Sequence, residues 1–110
     1  MARSPVDLRA AAAHDIELAV DHYLTEAGVV LALKFIDAFE HTLARISRAP
    51  LVGTLRFSYE LGIPDLRAWP LRGFPHLIFY VPEVARVDVW RVLHSRRDLP
   101  AEMAEGIDDA

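Results

Sequence analysis

The side chains best equipped for chemistry gather near the end of the sequence, in the run Arg91-Val92-Leu93-His94-Ser95-Arg96-Arg97-Asp98. An imidazole changes charge near neutral pH and serves as a general acid or base, and guanidinium groups stabilise negative charge as it builds on oxygen. His94, with Arg91 or Arg96 beside it, is therefore the candidate catalytic group. The same residues carry a plainer reading, with His94 hydrogen-bonded where its strand ends and Arg91 and Asp98 in a local ion pair or a strand-end hydrogen bond. A second set, Arg67, Trp69 and Arg72 together with Tyr80, Trp90 and Arg97, mixes arginine with aromatic rings, the types that dominate interface energetics. These are candidate contacts for a protein partner, although Trp69 and Trp90 also suit packing on a sheet face.

Other chemistries are disfavoured. His14, His22, His41 and His76 fall on different elements without HExxH or comparable spacing, and the chain has no cysteine to supply a thiolate, a disulfide or a Cys-based metal site. Gly62 and Gly73 form no GxGxxG or P-loop pattern. Neither metal nor cofactor is expected. A net charge of −4 argues against broad binding to a phosphate backbone, which needs many Lys and Arg contacts. Direct sequence-specific nucleic-acid binding is not expected either, although the concentration of arginine in the second half leaves room for a local basic face.

The elements that must position these groups follow from periodicity. From about Ala10 to Ala27, Ile16, Ala19, Val20, Tyr23, Leu24 and Ala27 recur at three-and-four spacing, which marks one stripe of a helix. Gly28 suits the left-handed position that ends it. A second stripe, Ala32, Phe35, Ile36, Phe39, Leu43 and Ile46, runs to about Arg48, where Pro50 stops it. Two amphipathic helices with so short a link pack as an antiparallel hairpin. Ahead of them, Val6 and Leu8 read as a short strand in preference to a capping box opened by Ser4.

Beyond Pro50, glycine and proline punctuate short β-branched and aromatic stretches, as strands and turns demand. Strands are expected near Leu66–Leu71, His76–Val81 and Arg86–His94, joined into an antiparallel meander, with Pro70 marking an edge or a bulge. Strict alternation would group Val87, Val89, Arg91 and Leu93 on one face of the last strand and Asp88, Trp90, Val92 and His94 on the other. One sheet face covers the hairpin. The other carries enough apolar surface to need a cover, either a partner or the C-terminal segment, where Leu99, Met103 and Ile107 hint at a short amphipathic turn.

The expected fold is α+β, one domain over residues 1–110: a helical hairpin at about 10–48, a β-meander at about 66–94 and a tail at 99–110. With 53% hydrophobic and 25% charged residues the composition is that of a globular chain. Charges interrupt the stretch where a signal peptide would need an apolar run, and no segment approaches the length of a membrane span. A soluble, cytoplasmic protein is expected.

The wording of the sequence narrows this further. Ala12-x-x-Asp15-Ile16, Tyr23, Ala32 and Phe35 in the helices, the exit Pro50-x-x-Gly53, then Phe74-Pro75-His76-Leu77-Ile78-Phe79-Tyr80 and Val89-Trp90-Arg91-Val92-Leu93-His94-Ser95-Arg96-Arg97-Asp98 follow in the order seen in the RelE/ParE superfamily, and the pattern most resembles its ParE branch. The resemblance spans roughly residues 6 to 100, and departs at Arg9, where relatives often carry a capping Ser or Thr. It implies a helical hairpin on a small antiparallel sheet, and the toxin half of a type II toxin-antitoxin system.

For a ParE-like protein the resemblance implies inhibition of DNA gyrase by protein contact, neutralisation by a cognate antitoxin, and a hetero-oligomer with that antitoxin. For a RelE-like protein it implies ribosome-dependent cleavage of messenger RNA, with His94 and Arg91 or Arg96 as the acting residues. The strand Leu77-Ile78-Phe79-Tyr80 offers no phosphate-clamping arginine, which counts against cleavage. A third alternative is an interaction module on the same scaffold without toxicity.

Overall fold

The computed structural model describes residues 3–96 and 98–106. Its elements are β1 (Val6–Leu8), α1 (Ala10–Ala27), α2 (Val29–Arg48), α3 (Arg56–Leu61), β2 (Arg67–Pro70), β3 (His76–Pro82), β4 (Val87–His94) and α4 (Leu99–Gly106). The hairpin reverses within one residue. Gly28 ends α1 and begins α2 at φ 93°, ψ 176°, with its N–H donated to Tyr23 O. A side chain at that positive φ would be strained, so glycine is what permits so tight a link. Arg45 and Arg48 in the last turn of α2 suit the negative end of the helix dipole.

The four strands lie in the order β1-β4-β3-β2. β2, β3 and β4 form the expected antiparallel meander, and Pro70 sits in the edge strand β2, where no ladder needs its missing amide. β1 makes the sheet mixed. It is the short N-terminal strand expected from sequence, and it pairs in parallel with β4, Val6 opposite Val87 and Leu8 opposite Val89. Ser4 and Ser47 hold the entry to β1 on α2, through Ser4 N–H to Ser47 O and the Ser47 hydroxyl to Ser4 O.

Strict alternation on β4 fails. Phe79 pairs with Arg91 but Tyr80 pairs with Val89, leaving Trp90 as the extra residue of a β-bulge. The bulge reverses the phase of the strand, so Val87, Val89 and Val92 all join Ile78 and Tyr80 against Ala12, Phe35, Phe39 and Ile46 of the hairpin. On the opposite face Phe79 and Leu93 meet Phe57, Ile63, Leu66, Ala68 and Met103. That outer face is sealed by the chain's own α3 and α4, with Leu61 and Leu99 at its margin. The cover expected from a partner or from the tail is thus internal, and α3 has no counterpart in the sequence reading. Ile107, the last residue of the expected amphipathic turn, lies outside the described residues. Among the described residues no helix is long and apolar enough to cross a membrane.

Candidate functional site

β1 stops opposite Val89, where Arg9 N–H closes the pairing on Val89 O, so among the described residues the remainder of β4 has no strand on that edge. α1 passes beside it. Asp15, on α1, accepts the Val92 N–H at 2.9 Å, a carboxylate taking the place of a neighbouring strand. The same carboxylate binds Arg91 in a two-pronged arrangement, Nε to Oδ2 at 2.8 Å and Nη2 to Oδ1 at 2.7 Å. Planar guanidinium and carboxylate groups match in this geometry, which adds direction as well as strength. Arg91 Nη1 also donates to Glu102 O on α4, and its Nη2 lies 3.8 Å from Glu102 Oε2. Arg91 is buried, and it ties β4 to both helices.

Between α1 and the end of β4 this arrangement leaves a groove of about 560 Å³. His14, Leu18 and His22 descend one face of α1 at four-residue spacing, which stacks them along a helix. His76 and His94 form the facing wall, their rings edge to face at 5.4 Å, and His76 packs in turn on Phe35 at 5.1 Å. His94 Nδ1 accepts the Arg96 N–H at 3.1 Å, which fixes the ring where the strand ends. His94 and Arg91 both line the groove, but Arg91 directs its donors to Asp15 and Glu102. Arg96 is exposed. Arg97 lies outside the described residues.

The other candidate contacts divide by burial. Tyr80 is fully buried: its hydroxyl donates to Pro50 O at 2.7 Å and accepts the Gly53 N–H at 3.0 Å. Burial raises its phenol above the usual 10.0, opposed by the Gly53 hydrogen bond and the nearby Arg67 charge. Arg67 donates from Nη1 to Leu51 O and Gly53 O, both at 3.1 Å. Tyr80 and Arg67 therefore clamp the exit from α2. A Cβ at Gly53 would lie 2.7 Å from Tyr80 Oη and 2.8 Å from Arg67 Cβ, so the glycine of the Pro50-x-x-Gly53 motif is required by close approach. Tyr80 thus presents no surface to a partner, and its place among the contact candidates is corrected. Trp69 is half-buried against the hairpin core, and Arg72 is exposed.

Trp90, displaced by the bulge, is half-buried and donates Nε1–H to Asp88 Oδ2 at 3.0 Å. The Arg9 guanidinium sits 3.9 Å from a ring centroid of Trp90 and binds Asp88 through Nε at 3.2 Å and Nη2 at 3.0 Å. Arg9, which stands where a capping Ser or Thr would go, instead pins the start of α1 to β4. Sequence reasoning did not bring Asp15, His14, His22 and His76 into the site. The spacing of His14, Leu18 and His22 was the available signal; the strand end they face was not. Among the described residues, no three His, Asp or Glu come together as a metal site would need.

Comparison with known proteins agrees with this architecture. Residues 6–99 match the model of a family described as "ParE toxin of type II toxin-antitoxin system, parDE". A solved structure described as "Chromosomal ParDE TA system from P. aeruginosa" is similar at a TM-score of 0.71, with 17% identity, over 84% of this chain and 96% of that one. At that identity the likeness speaks for the fold. The curated proteins give no match.

Proposed function

This chain belongs to the family of ParE toxins of type II toxin-antitoxin systems, and we propose that it acts in the cytoplasm by binding DNA gyrase and is held inactive by a cognate antitoxin. The observation that carries a contact mechanism, in preference to RNA cleavage, is the state of Arg91. A ribonuclease on this strand would need a guanidinium directed at phosphate, beside the acid or base. Arg91 is instead buried and directed at Asp15 through two hydrogen bonds, with Glu102 on its other side. The neighbouring positions Ile78, Phe79 and Tyr80 are packed into the two cores. What the surface offers to a large partner is arginine and partly exposed aromatic area, at Arg72, Trp69 and Trp90.

Inducible expression of the chain alone tests the proposal. The expected result is arrested growth with relaxed or cleaved plasmid, and loss of supercoiling when the purified protein is added to gyrase. Both effects should disappear on co-expression with the antitoxin. Unchanged supercoiling accompanied by cleavage of ribosome-bound message, lost in His94→Ala, would transfer the assignment to the ribonuclease reading.

A further inference from the structure

The edge of a sheet presents main-chain donors and acceptors that a neighbour can pair with. At the β2 edge, Ala68 exchanges both main-chain hydrogen bonds with Thr54, and Pro70 has no amide to offer. At the other edge, β1 covers β4 only as far as Val89. Two hydrogen bonds fix the phase of the rest of β4. Ser95 N–H reaches Pro75 O on the β3 side, whereas Val92 N–H points away from β3, to Asp15. Main-chain groups alternate between the two sides of a strand, so Val92 O and the N–H and O of His94 also face away from β3. Among the described residues no main-chain partner meets these three groups.

Val92 and His94 both line the groove of about 560 Å³ between α1 and the end of β4. Charge is not what this groove offers a ligand. Arg91 is bound to Asp15 and lies beside Glu102, and His94 Nδ1 already accepts the Arg96 N–H. The helix wall supplies Leu18, Ala19 and Tyr23, and Leu18 is 55% exposed although it faces the sheet across the groove. What the groove presents is thus a strand edge beside an apolar wall, the combination that takes up an extended peptide by its main chain.

We propose that this edge takes a short, uncharged, extended stretch of the antitoxin as an added strand, parallel to β4 and in line with β1. The inference rests on the antitoxin reading above and adds to it the place, direction and chemistry of contact. Direction follows from which groups are open. In a parallel pair, one incoming residue donates to Val92 O and accepts from His94 N–H, and the residue two further on donates to His94 O. Val92 N–H is not needed, so Asp15 keeps its hold on it. An antiparallel strand that used Val92 O would bring its own carbonyl against the Asp15 carboxylate. The residue between the two that bond lies beside His94, on the side of the sheet that faces Leu18 and Tyr23, where an aliphatic side chain fits.

The probe is a capped heptapeptide of alternating Thr and Val, titrated into the purified chain and followed by its amide resonances. The His94 amide should shift, together with Leu18 and Tyr23. N-methylation of the Thr residues should weaken binding about tenfold or more, and N-methylation of the Val residues should leave it nearly unchanged, because only alternate amides face β4. In the antitoxin complex the His94 amide should exchange its hydrogen about tenfold or more slowly than in the free chain. His94→Pro removes the outward N–H and leaves the bonds to β3, and should weaken that complex about tenfold; His94→Ala loses the ring as well but keeps the N–H, and should not. Where the proline variant does not fold, the methylated peptides and the exchange rate decide. Failure of the parent peptide to bind, equal loss on methylating either set, or equal weakening by Pro and Ala would overturn the proposal. A complex that forms while the His94 amide exchanges as in the free chain would also remove it, yet leave the antitoxin reading intact. Failure of that reading would show instead as an antitoxin that neither binds nor relieves growth arrest.

Discussion

Asp15→Asn isolates the charge of the buried pair. The amide is nearly the size of the carboxylate and keeps an oxygen where the Val92 N–H is received at 2.9 Å. What it removes is the counter-charge of Arg91, whose side chain is 8% exposed, and one of two short hydrogen bonds to it. Leaving one member of a buried pair without the other typically costs about 3–5 kcal/mol. Glu102 remains beside the guanidinium at 3.8 Å, which places the expected loss at the low end, about 3 kcal/mol. For a domain of this size that corresponds to a fall in melting temperature of roughly 12 °C. Thermal and urea unfolding at neutral pH measure it. A companion double variant, Asp15→Leu with Arg91→Met, removes both members of the buried pair and should cost less than the two single changes added together, although Glu102, 23% exposed, and the Val92 N–H each lose a partner. A loss below about 1 kcal/mol in Asp15→Asn, or strict additivity in the double variant, would show that the pair does not hold α1 to β4 in the way its geometry implies.

The remaining stability predictions concern the two cores. Tyr80→Phe deletes the hydroxyl that accepts from Gly53 and donates to Pro50, so equilibrium unfolding should show a loss of about 1–3 kcal/mol. Since burial raises the Tyr80 phenol above 10.0 in the folded chain, the unfolded chain releases that proton first. Stability from this group is therefore complete below pH 10 and declines as pH rises towards the folded value, and Tyr80→Phe should flatten that decline in unfolding measured across alkaline pH. Met103→Ala takes a buried side chain of α4 from the outer core, and should cost about 2–5 kcal/mol in unfolding with increased binding of a hydrophobic dye.

Much of the architecture was legible because local periodicity matches tertiary burial. Phe35, Phe39 and Ile46 appear on one helical stripe in the sequence and in one core in the fold, and Gly28 and Pro70 act where their backbone chemistry confines them. What escaped depended on partners distant in sequence or on a break in period. The bulge at Trp90 comes from pairing with β3 and leaves no local mark, so strict alternation misplaced every residue on one side of it. α3 is six residues long and too short to show a stripe. A local ion pair or strand-end hydrogen bond was one of two readings for Arg91, but its partner Asp15 lies 76 positions away, and only the docking of α1 on β4 supplies it.

The same alternation explains why proximity in sequence exaggerated the catalytic case. His94 and Arg91 are three positions apart on one strand, an odd spacing that sends their side chains to opposite faces. The bulge lies before both and does not change this. His94 stays with Val92 on the helix side and meets His76, whereas Arg91 leaves the sheet plane at the uncovered edge and turns to Asp15 and Glu102. For the two to act on one phosphate, Arg91 would have to give up Asp15 and leave that carboxylate buried without its counter-charge, at a cost of several kcal/mol. Binding to a protein surface makes no such demand. It can leave the pair intact and use the half-buried aromatics Trp69 and Trp90. The burial of Arg91 thus favours the contact reading proposed above more strongly than the presence of His94 favours cleavage.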